Sequence, residues 1–373
     1  MPSGAELFSS ALSQLGVSRI FTLVGDHLNE ALAVAARSGI EITDMRHESG
    51  VTHAADAWAR ITRKPTVSLV TGGPGHTNSL TGIATAYLAA SPLIAISGSR
   101  STTMAERQGF QDIDQVGMTA PVVKWAAEPP NSAQIPFYLG RAFAEADSGR
   151  KGPVHLTIPV DLFTGKTDFP TRVPLRAETS ACSPDSRDIT SILDALRKAE
   201  RPVVIAGSGI WWDHAEADLK EFIEATNLPL YTITMAKGVV PDDHPLCLGY
   251  ADPALNQAVH QAFREADLFL VLGKRIDYRL AMGGPRLFPA HAQFIQVDIH
   301  PQELGMNRPL AVGVCAGVKA TLRALLAEVG LKKWAPSRWL ERLRELRKEW
   351  EERLAGHAGN DSSPIHPAAF YRE

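Results

Sequence analysis

The chain has 373 residues, 45% of them hydrophobic, and a formal net charge of −3 at neutral pH. That length predicts two or three domains with sizeable cores, and the charge gives no electrostatic case for nucleic acid or a membrane surface. Three cysteines, Cys182, Cys247 and Cys315, are too few and too scattered for a disulfide framework or a metal cluster, and they fit a reducing cytoplasm. The N-terminus lacks a basic stretch leading into an apolar core, so no secretory signal is expected. No apolar run approaches the ~20 residues that span a bilayer.

In chain order, Leu7, Leu12 and Leu15 give helical spacing from Ser3 to Leu15, ended by Gly16. Arg19 to Val24 reads as a strand, followed by Gly25-Asp26-His27 and a helix to about Arg37. Ile40 to Asp44 is a short apolar strand, and Glu48 falls at its carboxyl end, where an alanine-rich helix begins. Thr66 to Thr71 is the next strand. Gly72 to Gly75 turn it sharply into a helix that starts near His76. The alternation continues through Pro92 to Gly98 and predicts a doubly wound α/β domain, a mainly parallel sheet with helices on both faces.

In such a sheet ligands collect at the carboxyl ends of the strands. Glu48 stands there either as a reacting carboxylate or as a first-turn acid that complements the helix dipole. Asp26 either caps its helix or turns a polar group toward a substrate. The glycines let a ligand approach the backbone, and the helix start offers free N–H groups. The spacing departs from the dinucleotide fingerprint, because Asn78 stands where a third glycine would be, and no Gly-Lys-Ser/Thr follows to make a phosphate loop. His47-Glu48 is not a zinc-protease pair, since Val51 occupies the second histidine's place and His53 is out of phase. No metal ligands are identified.

Residues 1–165 therefore form the first domain, and 166–187, rich in Pro, Ser, Thr and charge, read as a linker. A second doubly wound domain is expected over 188–330. Its strands are Pro202 to Ala206, leading into Gly207-Ser208-Gly209, then Leu268 to Leu272, leading into Gly273-Lys274-Arg275, and Phe294 to Val297, ending at Asp298. The Gly-x-Gly alone carries little weight, because Trp212 sits in the third glycine's place, and Asp298 alone reads as an ordinary strand-end acid. Trp339 to Leu354 is a charged helix with Trp339, Leu343, Leu346 and Trp350 on one stripe. It is assigned to a helical linker over 331–363, with a new unit starting at 364–373.

Five motifs in order carry a family resemblance. Arg46-His47-Glu48 with His53-Ala54-Ala55-Asp56-Ala57-Trp58-Ala59-Arg60 resembles the RHE…HAADGYAR segment of thiamine-diphosphate enzymes of the acetolactate synthase type. Thr71 to Asn78 resembles their TSGPGATN, and Gly82 to Tyr87 their GIATAY. Gly109 to Asp114 resembles AFQEVD, and Pro121 to Lys124 matches PVVK. The resemblance implies that Glu48 hydrogen-bonds N1′ of the cofactor's aminopyrimidine, and that Gly25, Thr71, Gly73, Pro74, Gly75 and Asn78 line the cofactor. It implies that Asp26, His27, Gln111 and Lys124 face the substrate. Gly25-Asp26 is similar to a pyruvate decarboxylase motif, whereas Phe110-Gln111 is synthase-like, so synthase and lyase chemistry both stay open.

The second domain resembles the same family's central domain. There Gly207, Gly209, Gly273, Arg275, Asp277, Arg279 and Asp298 would edge a nucleotide, FAD or ADP, although some members keep the domain without one. Gly249-Tyr250-Ala251-Asp252 departs from the GMHG of FAD-binding synthases. A third domain would hold the diphosphate through Mg²⁺ with Gly-Asp-Gly and Asn-Asn, and neither occurs here. The expectation is a cytoplasmic enzyme that is truncated or is one subunit of a split enzyme, inactive alone, whose complete form works as a homodimer or homotetramer on a 2-keto acid or an acyl-CoA. A carboligase, a lyase or decarboxylase, and a non-catalytic fragment that binds nucleotide or a partner are the three functional readings.

Overall fold

A computed structural model describes residues 1–174, 182–330, 334–358, 364–365 and 367–370. The chain divides into two units, Met1–Thr179 and Ser180–Glu373. Each is built on a six-stranded, wholly parallel sheet.

The strands of the first unit are β1 (Arg19–Leu23), β2 (Glu41–Asp44), β3 (Thr66–Val70), β4 (Leu93–Ser99), β5 (Ala126–Ala127) and β6 (Val154–Pro159), in the order β2-β1-β3-β4-β6-β5. Successive side chains point to opposite faces, and the sequence uses both. Ile20, Leu69, Ile94 and Ile96 join Phe8, Leu12 and Leu28 in one core, while Phe21, Val70 and Ala95 join Val51, Ala55 and Ile83 in another. The helices Gly4–Gln14, Asn29–Arg37 and Ile135–Asp147 supply the first core, and Glu48–Thr62 and Pro74–Ala89 the second.

The second unit contains β7 (Pro202–Ala206), β8 (Leu230–Thr232), β9 (Cys247–Tyr250), β10 (Leu268–Leu272), β11 (Gln293–Asp298) and β12 (Val312–Cys315), in the order β12-β11-β10-β7-β8-β9. Phe263, Phe269, Phe288 and Phe294 pack edge-on and stacked, with ring centroids 4.8–5.5 Å apart.

Two segments read as linkers do more than link. Lys166 bridges Ser3, the Gly4 N–H donates to the Gly165 carbonyl, and Thr171 donates to the Ala133 carbonyl at 2.8 Å. Val173 packs on the first core, so 166–174 is tied to the first unit. The rest of the expected linker up to 181 lies outside the described residues. The helix Arg338–Ala358, expected within a 331–363 linker, closes the second core instead. Its stripe buries Trp339, Leu340, Leu343 and Leu346, and the Trp339 indole donates to the Pro202 carbonyl at 3.1 Å. An apolar stripe of that length gains more by docking than by facing water. Of the unit expected from 364 onward, His366 and residues 371–373 lie outside the described residues. Among the described residues no helix is long and apolar enough to cross a membrane, and no group of three His, Cys, Asp or Glu could hold a metal.

Candidate active site

In the first sheet β2 lies outside β1 and β4 outside β3, so the winding reverses between β1 and β3. Open α/β sheets bind ligands in the crevice at such a reversal, beyond the carboxyl ends. Gly25 follows β1 and Thr71 follows β3. A Cβ on Gly25 would lie 2.5 Å from Thr71 Cβ, and one on Gly75 would lie 2.7 Å from Thr71 Cγ2. Thr71 is thus a wedge between two positions that only glycine fits. Gly73, at φ +58°, is the N-cap of the helix Pro74–Ala89, and a Cβ there would meet Gln111 Cβ at 2.7 Å.

Glu48 opens the helix Glu48–Thr62 without capping it. His47 is the cap, its Nδ1 accepting the Ser49 N–H at 3.1 Å. Half-buried Glu48 accepts from the Asn78 side-chain amide on Oε2 at 3.0 Å, and its Oε1 lies 3.4 Å from where a Gly75 Cβ would be. One carboxylate oxygen is therefore fixed by Asn78, and the other faces the part of the turn that carries no side chain. Glu48, Thr71, Gly73, Pro74, Gly75 and Asn78 are brought together, with Gly25 beneath them.

The other expected residues divide. His27 is buried; its Nδ1 accepts the Gly72 N–H at 3.2 Å and lies 2.9 Å from the Thr71 hydroxyl, which leaves the neutral ring's proton on Nε2. Burial lowers its pKa, and the Asp26 charge opposes that shift. Asp26 itself is exposed, and the cap position of its short helix is Gly25, which has no side-chain cap. Gln111 adopts φ +57°, and its Oε1 is buried without a partner among the described residues. Its loop is clasped by Arg100, which pairs with Asp112 at 3.3 Å and Glu128 at 3.1 Å, and by Asp161, which accepts the Thr102 N–H at 2.9 Å.

Lys124 is not brought to this edge. Its N–H donates to the Pro153 carbonyl, just before β6 starts, so it lies at the amino edge. Its ammonium donates to the carbonyls of Glu145 and, at 2.6 Å, Ser148, which end the helix Ile135–Asp147. Cations favour helix carboxyl ends, so this lysine caps a helix on the far side of the sheet from Glu48. Asp56 and Arg60, within the motif that carried the resemblance, likewise form an internal clip with Ser91.

Sequence reasoning missed a buried polar set behind the glycine turn. Gln115 Oε1 accepts the Gly73 N–H at 2.9 Å, and its Nε2 donates to the Gly98 carbonyl at 3.1 Å. Thr119 Oγ1 lies 2.9 Å from His76 Nε2, and Ser97 Oγ lies 2.9 Å from His76 Nδ1. His155 is 4.7 Å from His76, ring centre to ring centre. Burial pushes His76 down to about 4 and His155 well below its ordinary range, so both are neutral. One signal was available: His76 stands where the resembling motif has alanine.

At the second sheet's reversal, between β7 and β10, Gly207 and Gly209 meet Gly273. A Cβ on Gly209 would lie 2.6 Å from Gly273 Cα, and the Gly209 N–H donates to the Gly273 carbonyl at 2.9 Å. Asp277 pairs with Lys274 at 2.5 Å and Arg275 at 3.2 Å, and Arg279 pairs with Asp252 at 3.3 Å. Asp298 accepts the His300 N–H at 2.9 Å. The seven expected residues thus share one edge. Lys274, buried beside Gly207, was not singled out.

The family model described as "Thiamine pyrophosphate enzyme, N-terminal TPP binding domain" matches residues 2–118, and "Thiamine pyrophosphate enzyme, central domain" matches residues 189–325. The chain is 33% identical over 376 residues to the probable acetolactate synthase large subunit of Methanocaldococcus jannaschii, covering 99% of this chain and 63% of that protein. It is 30% identical over 373 residues to the oxalyl-CoA decarboxylase of Escherichia coli (strain K12), covering 98% and 65%. It is 32% identical over 376 residues to 2-hydroxyacyl-CoA lyase 1 of Homo sapiens, covering 98% and 63%. The chain spans just under two thirds of the length of these curated relatives.

Proposed function

The chain belongs to the thiamine pyrophosphate enzyme family, and from that premise we propose that it supplies the pyrimidine-binding half of an active site for decarboxylation and carboligation of 2-keto acids. The observation that carries this reading is Glu48, held by Asn78 on one oxygen and opposed by Gly75 on the other. The residues fit the pyrimidine end of thiamine diphosphate. Gly73 and Gly75 leave a wall without side chains, and the buried Gln111 Oε1 lacks a donor among the described residues. The diphosphate end finds no such fit, since Gly-Asp-Gly and Asn-Asn do not occur in this sequence.

When bound, the cofactor supplies a stabilised carbanion equivalent for breaking and making bonds next to a carbonyl. Glu48 Oε1 holds or releases a proton toward the crevice, while Asn78 keeps Oε2 as an acceptor. His27 presents Nε2–H, its Nδ1 being engaged at the turn. Asp26, exposed beside it, adds negative charge at the crevice mouth.

A lyase reading stays alongside, because relatives at 30–33% identity are named synthase, decarboxylase and lyase. For the second unit we propose an adenine nucleotide, FAD or ADP, at the edge shared by Arg275, Arg279 and Asp298. Backbone contact already accounts for the glycines there, so this proposal rests on the charged side chains. A homodimer is the proposed working unit, and sedimentation tests it. The central test joins this chain to the carboxyl-terminal third of the Methanocaldococcus jannaschii relative. Product analysis on pyruvate and on a 2-hydroxyacyl-CoA, with thiamine diphosphate and Mg²⁺, should give carboligation from pyruvate. Cleavage of the acyl-CoA alone would replace that reading with the lyase, and turnover retained in Glu48→Gln would remove Glu48 from the chemistry. The unextended chain should show no turnover.

A further inference from the structure

We propose that Gln115 is a positioning residue, whose amide fixes the Gly72–Gly73 peptide and with it the bare wall that faces Glu48. The proposal rests on the cofactor reading above. Gly73 needs an external anchor. It is the N-cap of the helix Pro74–Ala89 with no side-chain cap of its own, it sits at φ +58°, and Pro74 contributes no N–H. Gln115 provides the anchor through Oε1 at 2.9 Å.

Both ends of the amide are specified. Nε2 donates to the Gly98 carbonyl at 3.1 Å and to the Thr157 hydroxyl at 3.3 Å, so a flipped amide would set donor against donor and acceptor against acceptor. Gln115 is only 2% exposed, and burying an amide is costly unless its hydrogen bonds are made. Its own place is fixed as well. Asp114 caps the short helix Gln115–Thr119 by accepting the Gly117 N–H at 2.8 Å, and the Gln115 carbonyl accepts the Thr119 hydroxyl at 2.7 Å. Thr119 then meets His76, two residues past Pro74, which returns the network to the helix that the turn begins. Nor can the turn shift toward β4. A Cβ on Gly72 would lie 2.6 Å from the Gly98 carbonyl oxygen and 3.1 Å from Gln115 Oε1. The amide therefore clamps the carboxyl end of β4 to the peptide that opens the helix.

The test uses the whole chain with Gln115→Met, which keeps the length and removes both polar ends, and Gln115→Glu, which accepts but donates only when protonated. Hydrogen exchange across residues 72–78 is followed between pH 6.5 and 8.5, where His76 and His155 stay neutral, alongside titration of the same variants, carried in the joined enzyme described above, with thiamine diphosphate and Mg²⁺. In Gln115→Met, exchange at Gly73 should rise about tenfold, as expected for a lost net hydrogen bond, and affinity should fall by a similar factor. Exchange in β1, β4 and β6 should stay within about twofold, below the effect of a single lost hydrogen bond. Gln115→Glu should regain protection as the pH is lowered, a dependence that the wild type lacks, because a neutral carboxylic acid reproduces the amide's donor and acceptor. Unchanged Gly73 exchange, loosening spread over the whole first unit, or a pH-independent Gln115→Glu would each overturn the proposal. A wild type that binds no thiamine diphosphate even in the joined enzyme defeats the cofactor reading separately, and the exchange measurements then decide Gln115 alone.

Discussion

Both sheets reverse their winding once, and at both reversals the sequence places glycines, yet the glycines do different things. At the first, Gly25 and Gly75 make room for one side chain, Thr71, and leave Glu48 Oε1 facing open backbone. At the second, Gly209 and Gly273 make room for each other, with backbone against backbone. A glycine at a strand end therefore signals a close approach but not the identity of what approaches. Only the neighbouring side chains separate a crevice wall from a closed seam.

The largest expected effect lies at the first reversal. Glu48→Gln, placed in the joined enzyme described above, should lower turnover by about 10²–10⁴, the range for removing a positioned acid–base group. Its melting temperature should stay near wild type, because the Asn78 contact survives in altered form. If rate and stability fall together, Glu48 is a structural residue and the contrast between the two edges collapses.

Alanine at the glycines should break the two edges in different ways. Gly209→Ala forces a methyl group against Gly273 backbone and should cost about 3 kcal/mol in denaturant unfolding of the second unit, with no neighbouring side chain whose trimming restores it. Gly75→Ala strikes the Thr71 methyl, so adding Thr71→Ser should recover most of the lost stability. The double variant should still bind thiamine diphosphate poorly, since its new methyl group covers Glu48 Oε1. Rescue of Gly209→Ala by a side-chain change would show that the second edge is a crevice too.

Acid should separate the units. His76 titrates near 4 in the native state against 6.5 when exposed, so between those values the unfolded chain binds more protons. Stability is then fully present above pH 6.5 and is lost as the pH falls toward 4, by about 3 kcal/mol for His76. His155 adds a loss of the same sign. Hydrogen exchange at pH 7.5 and 5 should find the first unit weakened more than the second. Equal weakening would mean that the buried pair does not govern acid sensitivity.

The smallest effect expected is on stability at Arg279. Its pair with Asp252 is part-exposed, so Arg279→Met should change unfolding by no more than about 1 kcal/mol. If the second edge holds a nucleotide, the same variant should lower ADP affinity measurably in a titration. Unchanged ADP affinity would remove Arg279 from the proposed nucleotide site.

What was legible followed from local pattern. The apolar runs at Thr66–Val70 and Leu268–Leu272, the β-α alternation and the glycine turns needed only periodicity and punctuation, so both doubly wound sheets were foreseeable. Glu48 and its partner Asn78 were both legible, each in its own motif, although only the fold brings the two motifs together. Gln115 was invisible because its partners, Gly73, Gly98 and Thr157, come from three other segments, and nothing in a single stretch marks a glutamine as buried. Lys124 was misread for the converse reason. A matching motif transfers a position in the chain, but the edge of the sheet depends on where β5 and β6 start. The helix Arg338–Ala358 resembled a linker because charge dominates its composition, although four apolar residues on one side were enough to dock it.

Thr71 has a consequence for how such a chain can drift over generations. Its methyl group touches the space of two glycines, and its hydroxyl lies beside the imidazole of His27. Positions 25, 27, 71 and 75 are thus one genetic unit, in which a single replacement meets an obstacle that only a second can clear. Variation there should be rare one residue at a time and visible as paired exchanges, so that a table of related sequences would show these four columns changing in step.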